Sequence, residues 1–105
     1  MNALAARKPV HPYIDHLPGV QGGGAVIRGT RFPVRSIVAS YRGGLSVEEI
    51  LRAFPQLQPA EVHDALSYYY DFQGEVDEEI RLMEDVEAVM REVPPTLLPR
   101  RSDAA

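Results

Sequence analysis

The sequence predicts a mainly α-helical protein with a short N-terminal β-hairpin, a three-helix bundle resembling a helix-turn-helix, and a long acidic C-terminal helix. Three observations support this fold class. An apolar run at 25–27 follows three glycines, three later segments carry apolar residues at helical spacing, and acidic residues dominate after residue 73. The expected divisions are a flexible arm at 1–12, the hairpin and bundle at 13–73, the acidic helix at 74–94 and a flexible tail at 95–105.

The hairpin is expected to pair residues 13–20 with 25–28 through the turn Gln21-Gly22-Gly23-Gly24. The β-branched residues Val26 and Ile27 favour a strand, and Pro33 keeps the next segment extended. A phosphate-binding loop is excluded at the glycines, because no Gly-Lys-Ser/Thr follows them.

Apolar spacing predicts the three helices of the bundle. The first is expected over 34–42, with Val34, Ile37, Val38 and Tyr41 on one face and Gly43-Gly44 after its end. Ser46 and Glu49 form a capping box that begins the second helix. The third helix is expected to begin at Pro59, and its buried face carries Val62, Ala65, Leu66 and Tyr69.

The acidic helix is expected over residues 75–93. It carries two apolar lines, one through Val76, Ile80, Met83 and Met90 and one through Leu82, Val86, Val89 and Val93. The bundle has its own apolar faces, so we expect its core to be closed without this helix. Apolar lines outside a small domain then require a cover, which is either a second copy of the chain or another protein.

Composition limits the classes of protein. The 105 residues have a net charge of −4, and residues 73–105 hold nine acidic against four basic residues. The absence of cysteine excludes disulfides and thiol chemistry. No apolar run approaches the roughly 20 residues that span a bilayer. Residues 1–8 lack the apolar core of a signal peptide, so a cytoplasmic location is expected.

The histidines and carboxylates give no support for catalysis. His11, His16 and His63 do not have the spacing of a helical zinc site, and the carboxylates of the acidic helix have no acid/base partner of another type. We therefore predict a protein that is not an enzyme, with no catalytic residues, cofactor or metal.

A helix-turn-helix arrangement also permits DNA binding, but the sequence of the third helix disfavours base recognition. Its expected outward face holds three acids and no Arg, Lys, Asn or Gln, and comprises Ala60, Glu61, His63, Asp64, Ser67, Tyr68 and Asp71. Candidate DNA-backbone contacts lie elsewhere, at Arg28, Arg31, Arg35 and Arg42. A bundle that binds only proteins remains an equal alternative.

Several motifs resemble the domain-of-unknown-function family 433, a group that includes VapB-like antitoxins. The resemblance covers about residues 13–80 and rests on Gly22-Gly23, on Val26-Ile27-Arg28-Gly29-Thr30-Arg31-Phe32-Pro33-Val34, on the block at 43–51, on Phe54-Pro55-x-Leu57 and on Val62-x-x-Ala65-Leu66. One departure is Gly24-Ala25, where the family more often has a basic or polar residue followed by proline.

The resemblance implies an antitoxin that neutralises a PIN-like ribonuclease toxin by direct binding and that also binds its own promoter. The apolar residues expected to contact the toxin are Ile80, Met83, Val86, Val89 and Met90. A homodimer is expected in the absence of the toxin. The alternatives are a stand-alone helix-turn-helix regulator of transcription and a homodimeric scaffold protein that does not bind DNA.

Overall fold

The computed structural model describes residues 10–93, which form a β-hairpin and four helices. The expected tail at 95–105 and residues 1–9 of the expected arm at 1–12 lie outside the described residues. The predicted fold class is confirmed. The elements are β1 Ile14–His16, β2 Ala25–Ile27, α1 Val34–Arg42, α2 Val47–Ala53, α3 Pro59–Asp71 and α4 Gln73–Glu92.

The strands β1 and β2 are antiparallel, and Ile14 lies opposite Ile27. Each strand has three residues and is therefore shorter than expected. After β1 the chain forms a turn over residues 17–20. Gly19 has a φ of 75° in this turn, and the Val20 amide donates to the Leu17 carbonyl at 3.1 Å. A 3₁₀ turn at Gln21–Gly23 then returns it to β2.

The segment between β2 and α1 is a tight turn closed by Thr30. Its hydroxyl donates to the Ile27 carbonyl at 2.8 Å and accepts from the Phe32 amide at 2.9 Å. Gly29 supplies the φ of 78° that this turn needs. Pro33 is extended and precedes the first residue of α1. The turn thus places the N-terminal end of α1 directly beside the hairpin.

Helices α1, α2 and α3 enclose most of the core, in which Ile37, Val38, Ile50 and Val62 are fully buried. The capping box at the start of α2 is confirmed. The Ser46 hydroxyl accepts from the Glu49 amide, and the Glu49 carboxylate accepts from the Ser46 amide. Tyr41 is 37% exposed, so its assignment to the buried face of α1 was wrong.

Helix α4 begins immediately after α3. Phe72 separates the two helices, because its φ of −132° and ψ of 45° are not helical. Its first two turns pack on α1 and α3 and bury Val76 and Ile80. The expectation that the bundle closes its core without the acidic helix is therefore wrong. Residues 81–92, by contrast, are all exposed. Among residues 10–93, no helix combines the length and apolar character needed to cross a membrane.

Candidate protein-interaction surface

The exposed half of α4 presents a continuous apolar strip, the α4 stripe. Its side chains are between 37% and 60% exposed. It consists of Leu82, Met83, Val86, Val89 and Met90. Their spacing places them along one side of the helix. Ile80 was expected to contact a partner, but it is only 7% exposed and belongs to the core. Leu82 and Met83, the first members of the stripe, line a surface cavity with Arg35 and the 3₁₀ turn.

An acidic line runs beside the stripe and comprises Glu78, Asp85 and Glu92. The Arg81 guanidinium donates to the Glu78 carboxylate at 2.6 and 3.0 Å and to Asp85 Oδ2 at 2.9 Å. The hydrogen bonds from Arg81 lower the pKa of the Glu78 carboxyl. Glu78 is therefore ionised at neutral pH, and the helix keeps a charged flank.

Glu79, in the first half of α4, lies beside the 3₁₀ turn at Gln21–Gly23. A Cβ on Gly24 would lie 2.6 Å from Glu79 Oε2, the end of a flexible side chain, so the Glu79 carboxylate lies directly against Gly24. Burial raises the pKa of the Glu79 carboxyl, and the charge of Arg35 opposes that shift. The hairpin connection therefore lies beside the part of α4 that precedes the stripe.

Three of the four arginines predicted to bind DNA lie near the N-terminal end of α1. Arg28 and Arg31 are exposed in the turn after β2. The side chain of Gln21 joins Arg31 to Arg35, since its amide donates to the Arg31 carbonyl at 3.1 Å and its carbonyl accepts from Arg35 Nη2 at 2.8 Å. Gln21 thus links the Arg35 side chain to the backbone of Arg31.

Arg35 and Arg42 both face the acidic helix. Arg42 Nη1 donates to Asp77 Oδ1 at 3.1 Å. Arg35 lines a surface cavity of about 260 Å³ together with Glu84 and Glu87. The carboxylates of α4 therefore lie where phosphates would have to approach these two arginines.

The expected outward face of α3 is partly covered by the residues around β1. His11 Nδ1 lies 3.3 Å from Asp64 Oδ1, and His11 Nε2 lies 2.7 Å from Asp71 Oδ2. Tyr68 was expected to face outward, but it is buried at 5% exposure, with its hydroxyl 3.0 Å from His16 Nε2. Part of this face is therefore occupied by the chain's own N-terminal segment.

This contact between the N-terminal segment and α3 was not predicted from the sequence. Asp64 and Asp71 are seven residues apart and so share one side of the helix, which was the only available signal. No local pattern relates them to a histidine more than fifty residues earlier. Within residues 10–93 no group of three or more His, Cys, Asp or Glu side chains is arranged to hold a metal ion.

Replacing Tyr68 by Phe is expected to reduce the loss of stability at alkaline pH. Burial, together with the charges of Glu75 and Glu79, raises the pKa of Tyr68 from 10.0 to about 12. Between these values the unfolded chain releases the phenol proton while the folded chain retains it, so stability falls as pH rises through this window. Urea unfolding of Tyr68→Phe and the parent at pH 9, 10.5 and 11.5 measures the difference. Identical pH dependence in the two proteins would contradict this role of Tyr68.

A family model and two known proteins are similar to this chain. The family described as "Protein of unknown function (DUF433)" matches residues 14–69. The uncharacterized protein y4eO of Sinorhizobium fredii is 37% identical over 68 residues, which are 65% of this chain and 29% of that protein. The chain thus spans less than a third of the length of that relative.

A solved structure has a similar fold. The crystal structure of a DUF433 member protein from Anabaena variabilis is 38% identical, with a TM-score of 0.62 over 66% of this chain and 68% of that one. The family match ends within α3, so the α4 stripe lies beyond the matched residues.

Proposed function

The chain belongs to the DUF433 family of proteins of unknown function, and we propose that it is the antitoxin of a type II toxin–antitoxin system, neutralising a PIN-like ribonuclease through the α4 stripe. The stripe is the observation that carries the proposal. Val76 and Ile80 anchor α4 in the core, whereas the following turns keep five large apolar side chains exposed. A helix that presents such residues at helical spacing suits binding in a groove of another protein.

Charge supports a ribonuclease as the partner. A protein that binds RNA presents basic residues to the phosphate backbone. Residues 78–92 carry six acidic residues against two arginines, so this part of α4 is attracted to the same kind of surface. A helix bound there excludes RNA both by its volume and by its negative charge. The proposed role needs no catalytic group, cofactor or metal in this chain, and it places the protein in the cytoplasm.

Binding to the chain's own promoter is the regulatory part of the proposal. Arg28 and Arg31 are exposed in the turn after β2, so phosphate contacts from these two residues are the favoured mode, whereas Arg35 lies beside the carboxylates of Glu84 and Glu87. Arg42 contributes less, since it is paired with Asp77. A stand-alone regulator of transcription is the second candidate function, and these exposed arginines are the observation that favours it.

Neutralisation by variants of the stripe tests the proposal. The ribonuclease encoded next to this chain is mixed with RNA and with the parent, with Val86→Asp/Val89→Asp, or with Val10→Asp. Anchor residues of an interface often contribute tenfold or more each, so the double variant is expected to need about a hundredfold higher concentration for the same protection. Val10 is 76% exposed and lies outside the stripe, so Val10→Asp is the matched control.

Circular dichroism spectra establish that the double variant is folded, which is expected because both positions are exposed. Equal protection of RNA by the double variant and the parent would contradict the stripe as the inhibitory surface. A parent protein that leaves the ribonuclease fully active would contradict the antitoxin function itself.

A further inference from the structure

Two features of α4 repeat every seven residues. Leu82, Val86 and Val89 follow one another at spacings of four and three, which is the pattern of a seam between two packed helices. The acidic line of Glu78, Asp85 and Glu92 repeats every seven residues along one flank of that seam. A surface with this repeat matches a straight helix over its whole length, whereas a loop or an irregular surface would meet it only at isolated points.

We propose that the α4 stripe binds one amphipathic helix of another protein, and that this helix carries Lys or Arg where it faces the acidic line. The proposal rests on the proposed function in taking the stripe as the partner-binding surface, and it specifies the partner's chemistry. Apolar residues of the partner helix cover Val86 and its neighbours. Its basic residues bind Asp85 and Glu92 at the edge of the interface.

The acidic line remains available to a partner although Arg81 contacts two of its members. Helical geometry places Arg81 on the side of the line away from the stripe. Arg81 holds the Glu78 and Asp85 carboxylates in fixed positions through bonds of 2.6–3.0 Å, and each carboxylate has further acceptor sites. The line has one arginine for three carboxylates, so its net charge is negative.

A second copy of the chain would be a poor binding partner for the α4 stripe and its acidic line. In an antiparallel pair of α4 helices, the acidic line lies opposite the same line of the other copy, and like charges repel. In a parallel pair, the line lies opposite Met83 and Met90, which offer no counter-charge to carboxylates that lose water. A helix with a basic line removes both problems. A homodimer of this chain, as expected from the sequence, would therefore use a different surface.

Two designed peptides test the proposal by fluorescence anisotropy at 150 mM NaCl. Both are 21-residue amphipathic helices with Leu along the seam, and they differ only in having Lys or Glu at the flanking positions. The parent is expected to bind the Lys peptide at least tenfold more tightly than the Glu peptide. The variant Asp85→Lys/Glu92→Lys is expected to reverse this preference.

The variant Val86→Asp distinguishes binding of the Lys peptide at the apolar stripe from nonspecific attraction by charge. This variant is more acidic than the parent, so attraction to the Lys peptide by charge alone would increase. Loss of the apolar contact is instead expected to weaken binding at least tenfold. Equal binding of the Lys peptide by Val86→Asp and the parent would overturn the proposal, as would equal binding of the two peptides by the parent.

Sedimentation velocity of the parent gives a further outcome. A dimer that Val86→Asp converts to a monomer would show that a second copy covers the stripe and would overturn the proposal. The results are separable from those of the neutralisation assay. A parent that prefers the Lys peptide but does not inhibit the ribonuclease supports the docking surface and refutes only the antitoxin function.

Discussion

A chain that ends at Gly74 is expected to lose its cooperative thermal unfolding transition. The truncation removes Val76 and Ile80, which are 1% and 7% exposed, and uncovers the apolar residues of α1 and α3 against which they pack. Burial of each such side chain contributes about 1.5–3 kcal/mol, and the newly exposed core surface adds to the loss. A domain of this size has a total stability of about 5–15 kcal/mol, so the loss is comparable with the whole.

A chain that ends at Glu84 is the matched control. It retains Val76 and Ile80 but lacks most of the stripe, and it is expected to melt cooperatively, close to the parent. Circular dichroism at 222 nm during heating distinguishes the two truncations. If the chain ending at Gly74 melted cooperatively at the temperature of the parent, the core of the protein would be independent of α4.

The parts of the fold that local sequence determines were predicted well. Helix α1 has the predicted bounds of 34–42, because its apolar spacing and the glycines after it are both local signals. The capping box at Ser46 and Glu49 likewise depends on four consecutive positions. The hairpin was predicted from its β-branched run, although β1 is shorter than the expected segment at 13–20 because the chain turns at 17–20.

Contacts between distant segments could not be predicted in this way. Periodicity placed Ile80 and Val86 on two different apolar lines of α4, but it could not show that Ile80 faces the core and Val86 faces solvent. The difference arises because Ile80 lies on the side of α4 that packs on α1, whereas Val86 lies on another side of the helix. The ion pair between Arg42 and Asp77 could not be predicted from local sequence either, since the packing of α4 on α1 brings the two residues together.

The carboxylate of Asp64 is expected to be a major anchor of the N-terminal segment, although the sequence placed it on an outward face. It accepts from the Tyr13 amide at 2.8 Å and lies 3.3 Å from His11 Nδ1. Its side chain is 12% exposed, and that of His11 is 8% exposed, so little water replaces these contacts when they are lost. Asp64 thereby fixes β1 against α3, and through β1 the whole hairpin.

Replacing Asp64 by Ala is therefore expected to lower the free energy of unfolding by about 2–3 kcal/mol, the usual range for hydrogen bonds to a sheltered charged group. In a domain of this size, this corresponds to a fall in Tm of roughly 10 °C or more. Asp71→Ala is the control, because Asp71 is 41% exposed and, among residues 10–93, is paired with the other nitrogen of His11. A partly exposed pair of this kind contributes less than about 1 kcal/mol. Urea and thermal unfolding measure both variants. Equal effects of the two substitutions would show that Asp64 acts only through His11, and that the hydrogen bond from the Tyr13 amide contributes nothing to holding the hairpin on α3.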